Sequence, residues 1–478
     1  MQKLKKAAPP PTEVAHHVGT WEKTTYGLYF WGQNIFYALV GLNVQTLFSD
    51  VGITAAVVAL IVLFTKIWDA VNDALFGVII DKIRFKKGRY MPWIRLSLAP
   101  IAVFSLFLFA LPANIPIGLK VLWAVIGYVA WDMSYTLCDV PIYVLPMSMT
   151  ANVQERNGIL SFGRYLGVVG ILLGSIMLPM VQARLGWFGI AVVFTVLAVI
   201  SMLPICFAAK ERNIVRPEAA VTFKQMFRYI SKNKFLLIFY AAMFITGATN
   251  FASVLQLFFA RYNLGNQDVA SMLGLVSMVP MILVGAFVPA IIKKIDKFCL
   301  YFGVCAFNCL LGIVRYFMGY ENFTLFLVFT ILSAIAGAAN GILVFLFTPD
   351  CIEYGTYHTG ERAEGVATAI QSFFNKLTSS VSASLAMLII GLFGFVAGEN
   401  AVQPQSALEG IWLSLTLFPS IGAAISVAAL WFYKLRDKDV QVMARYNSGE
   451  ISKEEAERVL SKRYGSAAAL GKMTVTHD

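Results

Sequence analysis

The chain has 478 residues, 58% of them hydrophobic and 14% charged, with a formal net charge of +11. A soluble domain is about half apolar and about a quarter charged, so this composition excludes a soluble globular protein and reads as a polytopic membrane protein. The surplus of Lys and Arg lies between apolar segments, where it signals topology, and binding to nucleic acid is not expected.

Apolar stretches of about 20 residues or more are each long enough to cross a bilayer. Twelve are read along the chain, at about 25–47, 54–80, 93–112, 119–148, 159–181, 186–208, 234–262, 268–291, 299–319, 323–348, 366–397 and 407–433, here called spans 1 to 12. No water is available in the bilayer core to satisfy backbone groups, so helices are the expected spanning form and the fold class is all-α. Asn250 and Gln256 interrupt span 7, and Arg315 interrupts span 9. The arm at 1–24, "MQKLKKAAPPPTEVAHHVGTWEK" and its next residue, has no apolar core ahead of its prolines. It reads as a cytoplasmic arm and not a cleaved leader, and no metal role is expected for its His16–His17 pair.

The connections set the orientation. Between spans 2 and 3 lie Lys82, Arg84, Lys86, Lys87 and Arg89; between spans 6 and 7 lie Lys210, Arg212, Arg216, Lys224, Arg228, Lys232 and Lys234; between spans 8 and 9 lie Lys293, Lys294 and Lys297. The alternate connections offer little beyond Lys120, Arg184 and Arg261. Lys and Arg are retained on the cytoplasmic side, so both termini are expected inside, in a multi-pass protein of the plasma membrane. The cysteines Cys138, Cys206, Cys299, Cys305, Cys309 and Cys351 form no CxxC pair and are read as reduced packing residues.

The basic connection at 209–233 divides a six-helix group at 25–208 from another at 234–433, with a tail at 434–478. The halves echo one another weakly: "GVIIDKIRFKKGRY" follows span 2, and "PAIIKKIDKFCLYF" follows span 8. Internal repetition with a site between the halves is the logic of secondary transporters. In the tail, "SGEISKEEAERVLSKRYG" reads as a surface helix with Ser448 or Ser452 near its start and Gly465 past its end.

Span 2 raises the sharpest question. Lys66, Asp69 and Asp73 recur at helical spacing on one face of an apolar helix. One charge at that depth costs roughly 2.5–3.5 kcal/mol on insertion scales. Three against lipid are not tolerable, so they must face protein, a wet cavity or a bound ion. They form either a structural charge network or a monovalent-cation site.

Span 4 carries Asp132, Thr136, Asp139 and Tyr143 along one face, with Tyr135 beside them and Pro141 breaking the ladder at Leu137. A carboxylate with aromatic neighbours suits a sugar, since the acid accepts from hydroxyls and rings stack on the apolar sugar face; packing is the competing reading. Span 5 offers Arg164. Span 11 offers Gln371, Ser372, Asn375 and Lys376, with Ser379 below. Lys376 either snorkels to the surface or points inward to a carboxylate. Lys66, Arg164 and Lys376 balance Asp69, Asp73 and Asp139 in number, which leaves Asp132 over. Span 1 adds Gln33, Asn34, Asn43 and Gln45, the last two as readily interhelical glue.

Three passages, "KIWDAVNDALFGVIIDKIRFKKGRYMPW", "YTLCDVPIYVLP" and "DCIEYGTYHTGERAEG" leading into "QSFFNK", closely resemble the glycoside–pentoside–hexuronide:cation symporters of the major facilitator superfamily, a family that includes melibiose permease. The similarity covers about residues 20–435. It implies twelve transmembrane helices in two six-helix bundles and symport of a sugar or glycoside with Na⁺ or H⁺. The cation site would fall on Asp69, Asp73, Asn72 and Thr136. Sugar contacts would fall on Asp139, Tyr135, Tyr143, Arg164, Gln371 and Ser372, with Lys376 linking the two sites. Galactoside-binding relatives carry an adjacent Lys–Asp pair in helix 1 where this chain has Gln33 and Asn34, which speaks against melibiose-type specificity. Asp132 is a second departure.

The expected mechanism is alternating access by a monomer, with the basic loops as inner gates; Glu353, Arg362 and Glu364 could pair with Arg84 or Arg89, or could simply signal topology. A competing reading is a cation-coupled carrier of lysolipid or another amphiphile on the same scaffold. The chain carries no HExxH, no GxSxG and no clustered His or Cys, so an enzyme is not expected. No cofactor is expected beyond the co-transported cation.

Overall fold

The computed structural model describes residues 17–83, 85, 88–150, 152–212, 223–360, 363–398 and 401–464. Span 1 is Thr20–Phe36, a wide π turn at Tyr37–Gly41 and a short helix Val44–Asp50; spans 2, 3 and 4 are Ala55–Lys82, Met91–Phe109 and Ile117–Met149. Spans 5 and 6 run together as Val153–Met202 and part at Gly186, whose φ of 69° lies in the left-handed region, which suits a residue without Cβ. Span 7 is Lys234–Ala248 followed by Ala252–Phe258, so the polar Asn250 marks a true interruption. Spans 8 to 12 are Asp268–Ile291, Lys297–Met318, Phe323–Thr359, Glu364–Leu392 and Gln405–Leu430. Among the described residues, nine helices are long and apolar enough to cross a membrane. Spans 5 and 6 count there as one, span 1 is segmented, and span 8 enters as the shorter Asp268–Ser277, so the result is consistent with twelve spans.

Helix starts are set by short polar side chains that accept from otherwise orphan backbone N–H groups. Asn152 Oδ1 accepts from Gln154 N at 2.9 Å, Asp296 Oδ1 from Phe298 N at 3.0 Å, and Asn322 Oδ1 from Leu325 N at 3.2 Å. In span 4, Pro146 lacks the N–H that would bond Ile142 O. The hydroxyl of Tyr26 in span 1 takes that place at 3.1 Å. Span 1 packs closely on span 5; a Cβ at Gly170 would sit 2.5 Å from Trp31 O.

Span 11 lies against span 2, and span 8 against the span 5–6 helix, so the two halves meet along these pairs. At the end far from both termini they are also bonded. Arg261 of span 7 donates to both oxygens of Asp50 at 2.7 Å, and Trp187 Nε1 donates to Asp50 Oδ2 at 2.8 Å. Gln267 Nε2 donates to Gln182 Oε1 at 2.7 Å, and Gly398 N to Ser49 O at 2.8 Å. At the other end, Arg212 pairs with Glu22 at 2.6 Å, Lys23 with Glu155 at 2.9 Å, and Lys297 with Asp350 at 2.6 Å, and none of these crosses from one half to the other.

The tail contributes two helices. Lys453–Tyr464 is the expected one, with Ser452 Oγ accepting from Glu455 N at 3.2 Å; Gly465 lies outside the described residues. Asp437–Asn447 precedes it, and Asn447 Nδ2 donates to Glu353 Oε2 at 2.7 Å. Glu353 therefore faces the tail. The expected gate partners Arg84 and Arg362, and the side chain of Glu364, lie outside the described residues. Four of the cysteines are buried and Cys309 is half-buried, whereas Cys299 is exposed and so departs from the packing reading.

Candidate cation and sugar site

Span 2 resolves its own question by having two faces. Leu60, Phe64, Ile67, Val71 and Leu75 are all exposed, and they follow one another at helical spacing as the outward stripe. Asp69 is two residues, or about 200°, from Ile67 at 100° per residue, so the carboxylates point away from that stripe. Their side chains are 13% exposed at Asp69 and 31% at Asp73.

Span 11 supplies the countercharge. Lys376 Nζ bonds Asp73 Oδ2 directly and lies 3.8 Å from Asp69 Oδ2. Of the two readings of Lys376, the inward one is what the fold adopts. Asn72 Nδ2 donates to Thr136 Oγ1 at 2.9 Å, and Thr136 Oγ1 donates to Asp73 Oδ1 at 3.2 Å. Spans 2, 4 and 11 thus meet in one chain of oxygens and nitrogens with two carboxylates at its centre. Lys66 shares its electrostatic surroundings with Tyr128, Asp69, Asp132 and Tyr37. Asp132 is buried, its Oδ2 has no hydrogen-bond partner among the described residues, and it shares the electrostatic surroundings of Asp69 and Lys66.

Asp139 lies one helical step further along span 4. Gln33 Nε2 donates to Asp139 Oδ1 at 2.7 Å while Gln33 Oε1 stays buried without a partner among the described residues. The Arg164 guanidinium lies 5.8 Å over the Tyr143 ring. Tyr143 in turn meets Phe30 edge-on at 5.2 Å. Tyr135 stacks on Trp131 at 5.1 Å and neighbours Tyr37 at 6.1 Å. Asn34 Nδ2 donates to Phe30 O of its own helix at 2.8 Å, and Asn43 Nδ2 to Ala38 O at 2.7 Å. Ser372 is exposed, and Gln371 Nε2 is buried without a partner among the described residues. The arrangement can do two things chemically. Carboxylate and hydroxyl oxygens can replace the water of a monovalent cation, and a neighbouring acid flanked by an amide, a guanidinium and rings can grip hydroxyls.

Sequence reasoning did not find the Asp50–Arg261–Trp187 cluster. Its signal was present, since Asp50 and Arg261 are isolated charges at the ends of spans 1 and 7, but nothing in the order of residues brings them together.

Known transporters resemble the chain over most of its length. The chain is 27% identical over 457 residues to an isoprimeverose transporter of Lactiplantibacillus pentosus, covering 91% of this chain and 94% of the relative. It is 24% identical over 419 residues to a glucuronide carrier protein homolog of Escherichia coli (strain K12), covering 85% and 90%. The crystal structure of a bacterial homolog of the human lysosomal transporter Spinster, inward-facing and unoccupied, superposes with a TM-score of 0.64 at 11% identity, over 87% of this chain and 96% of that one, and so shares the fold. The model of the MFS/sugar transport protein family matches residues 25–437. A match over that much of the chain, on an all-helical structure of this kind, means that the chain belongs to the MFS/sugar transport protein family and is a membrane transporter, not an enzyme.

Proposed function

We propose that this transporter carries a sugar or glycoside into the cell by symport with one monovalent cation, Na⁺ or H⁺, at Asp69 and Asp73. The observation that carries the reading is the Lys376 ammonium lodged between those two carboxylates, tied through Thr136 to Asn72. An arriving cation competes with that ammonium. Once displaced, Lys376 is free to turn toward Asp139, whose electrostatic surroundings it already shares. The cation thereby alters the sugar subsite of Asp139, Gln33, Tyr143 and Arg164, with Gln371 and Ser372 across from them. The relatives named for isoprimeverose and glucuronide transport support a sugar or glycoside as cargo.

The two six-helix groups, 25–208 and 234–433, rock around this site. With the termini cytoplasmic, the Asp50–Arg261 cluster closes the outer end, and breaking it opens the site outward. Moving one positive charge inward gains about 2.3 kcal/mol per 100 mV of membrane potential, to which the chemical gradient of the cation adds. The protein acts as a monomer in the plasma membrane.

The test is uptake of labelled glycosides, pentosides and hexuronides in membrane vesicles with and without a Na⁺ gradient or a proton gradient. Gradient-driven accumulation is expected for the wild type. Asp69→Asn should abolish accumulation and leave exchange down a sugar gradient. Full accumulation in that variant refutes the cation assignment.

A further inference from the structure

Arg315, the cation that interrupts span 9, is left unused by the site above. It lines a cavity of about 390 Å³ formed by spans 7, 8, 9, 10 and 12 of the C-terminal half, which shares no residue with the group around Asp69, Asp73 and Asp139. A guanidinium has five N–H donors and a charge that cannot be shed. Among the described residues Arg315 donates through Nη1 to Ser333 Oγ at 3.0 Å, and its Nε is buried with no partner. Its central carbon lies 5.9 Å from the centre of the Trp412 ring. No carboxylate of the described residues offsets its charge. Glu321 and Glu409, the acids nearest it along spans 9 and 12, are exposed. Buried charges are normally paired or hydrogen-bonded, and a lone one is costly among membrane helices. Here the countercharge is missing from the chain itself.

The groups around the guanidinium can complete an anion's shell. Ser333 Oγ accepts from Nη1 and so keeps its own hydrogen to donate. Asn250 Oδ1 accepts from Ala252 N at 3.4 Å, which leaves the amide N–H groups of Asn250 for the cavity it lines. The rest of the lining is in good part apolar, with Phe259, Leu273 and Phe326. We infer that the C-terminal half holds a resident halide ion of the chloride type on the free Nε edge of Arg315. One guanidinium with no second cation beside it matches a monovalent anion; a divalent one would leave a net negative charge buried. A halide sheds water readily and tolerates the apolar part of the wall. At about 30 Å³ per water, the space takes the ion with several waters. The lining comes from one half alone, so the ion stays with that half as the halves rock. It acts as a fixed countercharge that holds spans 9, 10 and 12 together around Arg315, and it is not cargo.

The experiment uses the full chain, purified in detergent in sodium fluoride, whose anion is strongly hydrated. Radiolabelled chloride is titrated in at fixed Na⁺ concentration and ionic strength, and the thermal midpoint is followed over the same series. Chloride binding to the wild type should saturate, and the midpoint should rise and level off with it, as for any ligand that binds only the folded state. Arg315→Gln should weaken the binding by about tenfold or more, the scale of a lost charged hydrogen bond, and flatten the response of the midpoint. Arg315→Lys, which keeps the charge, should keep part of both. In fluoride alone, Arg315→Gln should melt no lower than the wild type, because the substitution removes a buried charge that has no partner there. A wild type that binds no chloride overturns the proposal, as does a chloride response equal in wild type and Arg315→Gln, which marks a general salt effect. Loss as complete in Arg315→Lys as in Arg315→Gln also overturns it. So does an Arg315→Gln variant that fails to fold or melts lower in fluoride, since the chain itself would then already answer the guanidinium. Neither readout involves sugar or the carboxylates of span 2.

Discussion

Arg261→Gln is the most direct test of how the two halves are held. Arg261 donates to both oxygens of Asp50 at 2.7 Å, and the side chains are 11% and 2% exposed. Removing the guanidinium leaves a buried carboxylate with Trp187 Nε1 at 2.8 Å as a donor. Truncating one partner of such a pair costs about 2–5 kcal/mol, mostly for the charge left behind. Opening that end lets water reach Asp50, so the cost falls on the closed state and not on the open one. At 1.36 kcal/mol per factor of ten, even the lower figure multiplies the population open at that end about 30-fold. Spin labels at Ala183 and Asn266, which face one another across a small surface cavity beside Arg261, report the change by double electron–electron resonance. The wild type should give one short distance, and Arg261→Gln should add a longer population. An unchanged distance distribution in a folded variant would show that the cluster does not hold the halves together.

Lys376→Gln removes the ammonium that competes for Asp69 and Asp73, so cation affinity should rise by about tenfold while sugar uptake loses its dependence on the gradient; calorimetric titration and vesicle uptake read the two effects separately. Gln33→Leu strips Asp139 of its 2.7 Å donor and should weaken sugar binding by about five- to tenfold, about 1–1.5 kcal/mol, with cation affinity unaltered in the same titration. Gly170→Leu forces a side chain into the 2.5 Å space before Trp31 O. Overpacking of this kind costs about 1–3 kcal/mol or more and should lower the thermal midpoint of the detergent-purified protein, whereas the same change at Gly158, with open space around it, should leave it within a degree or two.

What the order of residues determined was whatever depends on local pattern and on the bilayer as solvent. The twelve apolar segments, the inward stripe of Lys66, Asp69 and Asp73, and the polar face of span 4 all follow from helical periodicity and from the cost of placing charge in hydrocarbon. The start of the tail helix at Ser452 followed from a capping side chain, which is equally local. The tertiary structure decided which charge meets which. Lys376 could have reached the surface on its long stem; it turns inward because span 11 lies against span 2 and brings it between two carboxylates 303 residues away from it in sequence, as counted to Asp73. Counting charges could balance Arg164 against the carboxylates only in number; the fold makes Gln33 from span 1 the hydrogen-bond donor to Asp139. Asp132, left over in the count of charges, is buried in the same electrostatic surroundings as Lys66 and Asp69. The Asp50–Arg261 contact and the unanswered cation at Arg315 were visible in the sequence only as single charges at the wrong depth. Partnership between groups is a property of distance in space, and helices that are each stable alone in lipid leave that distance to be set by how they pack.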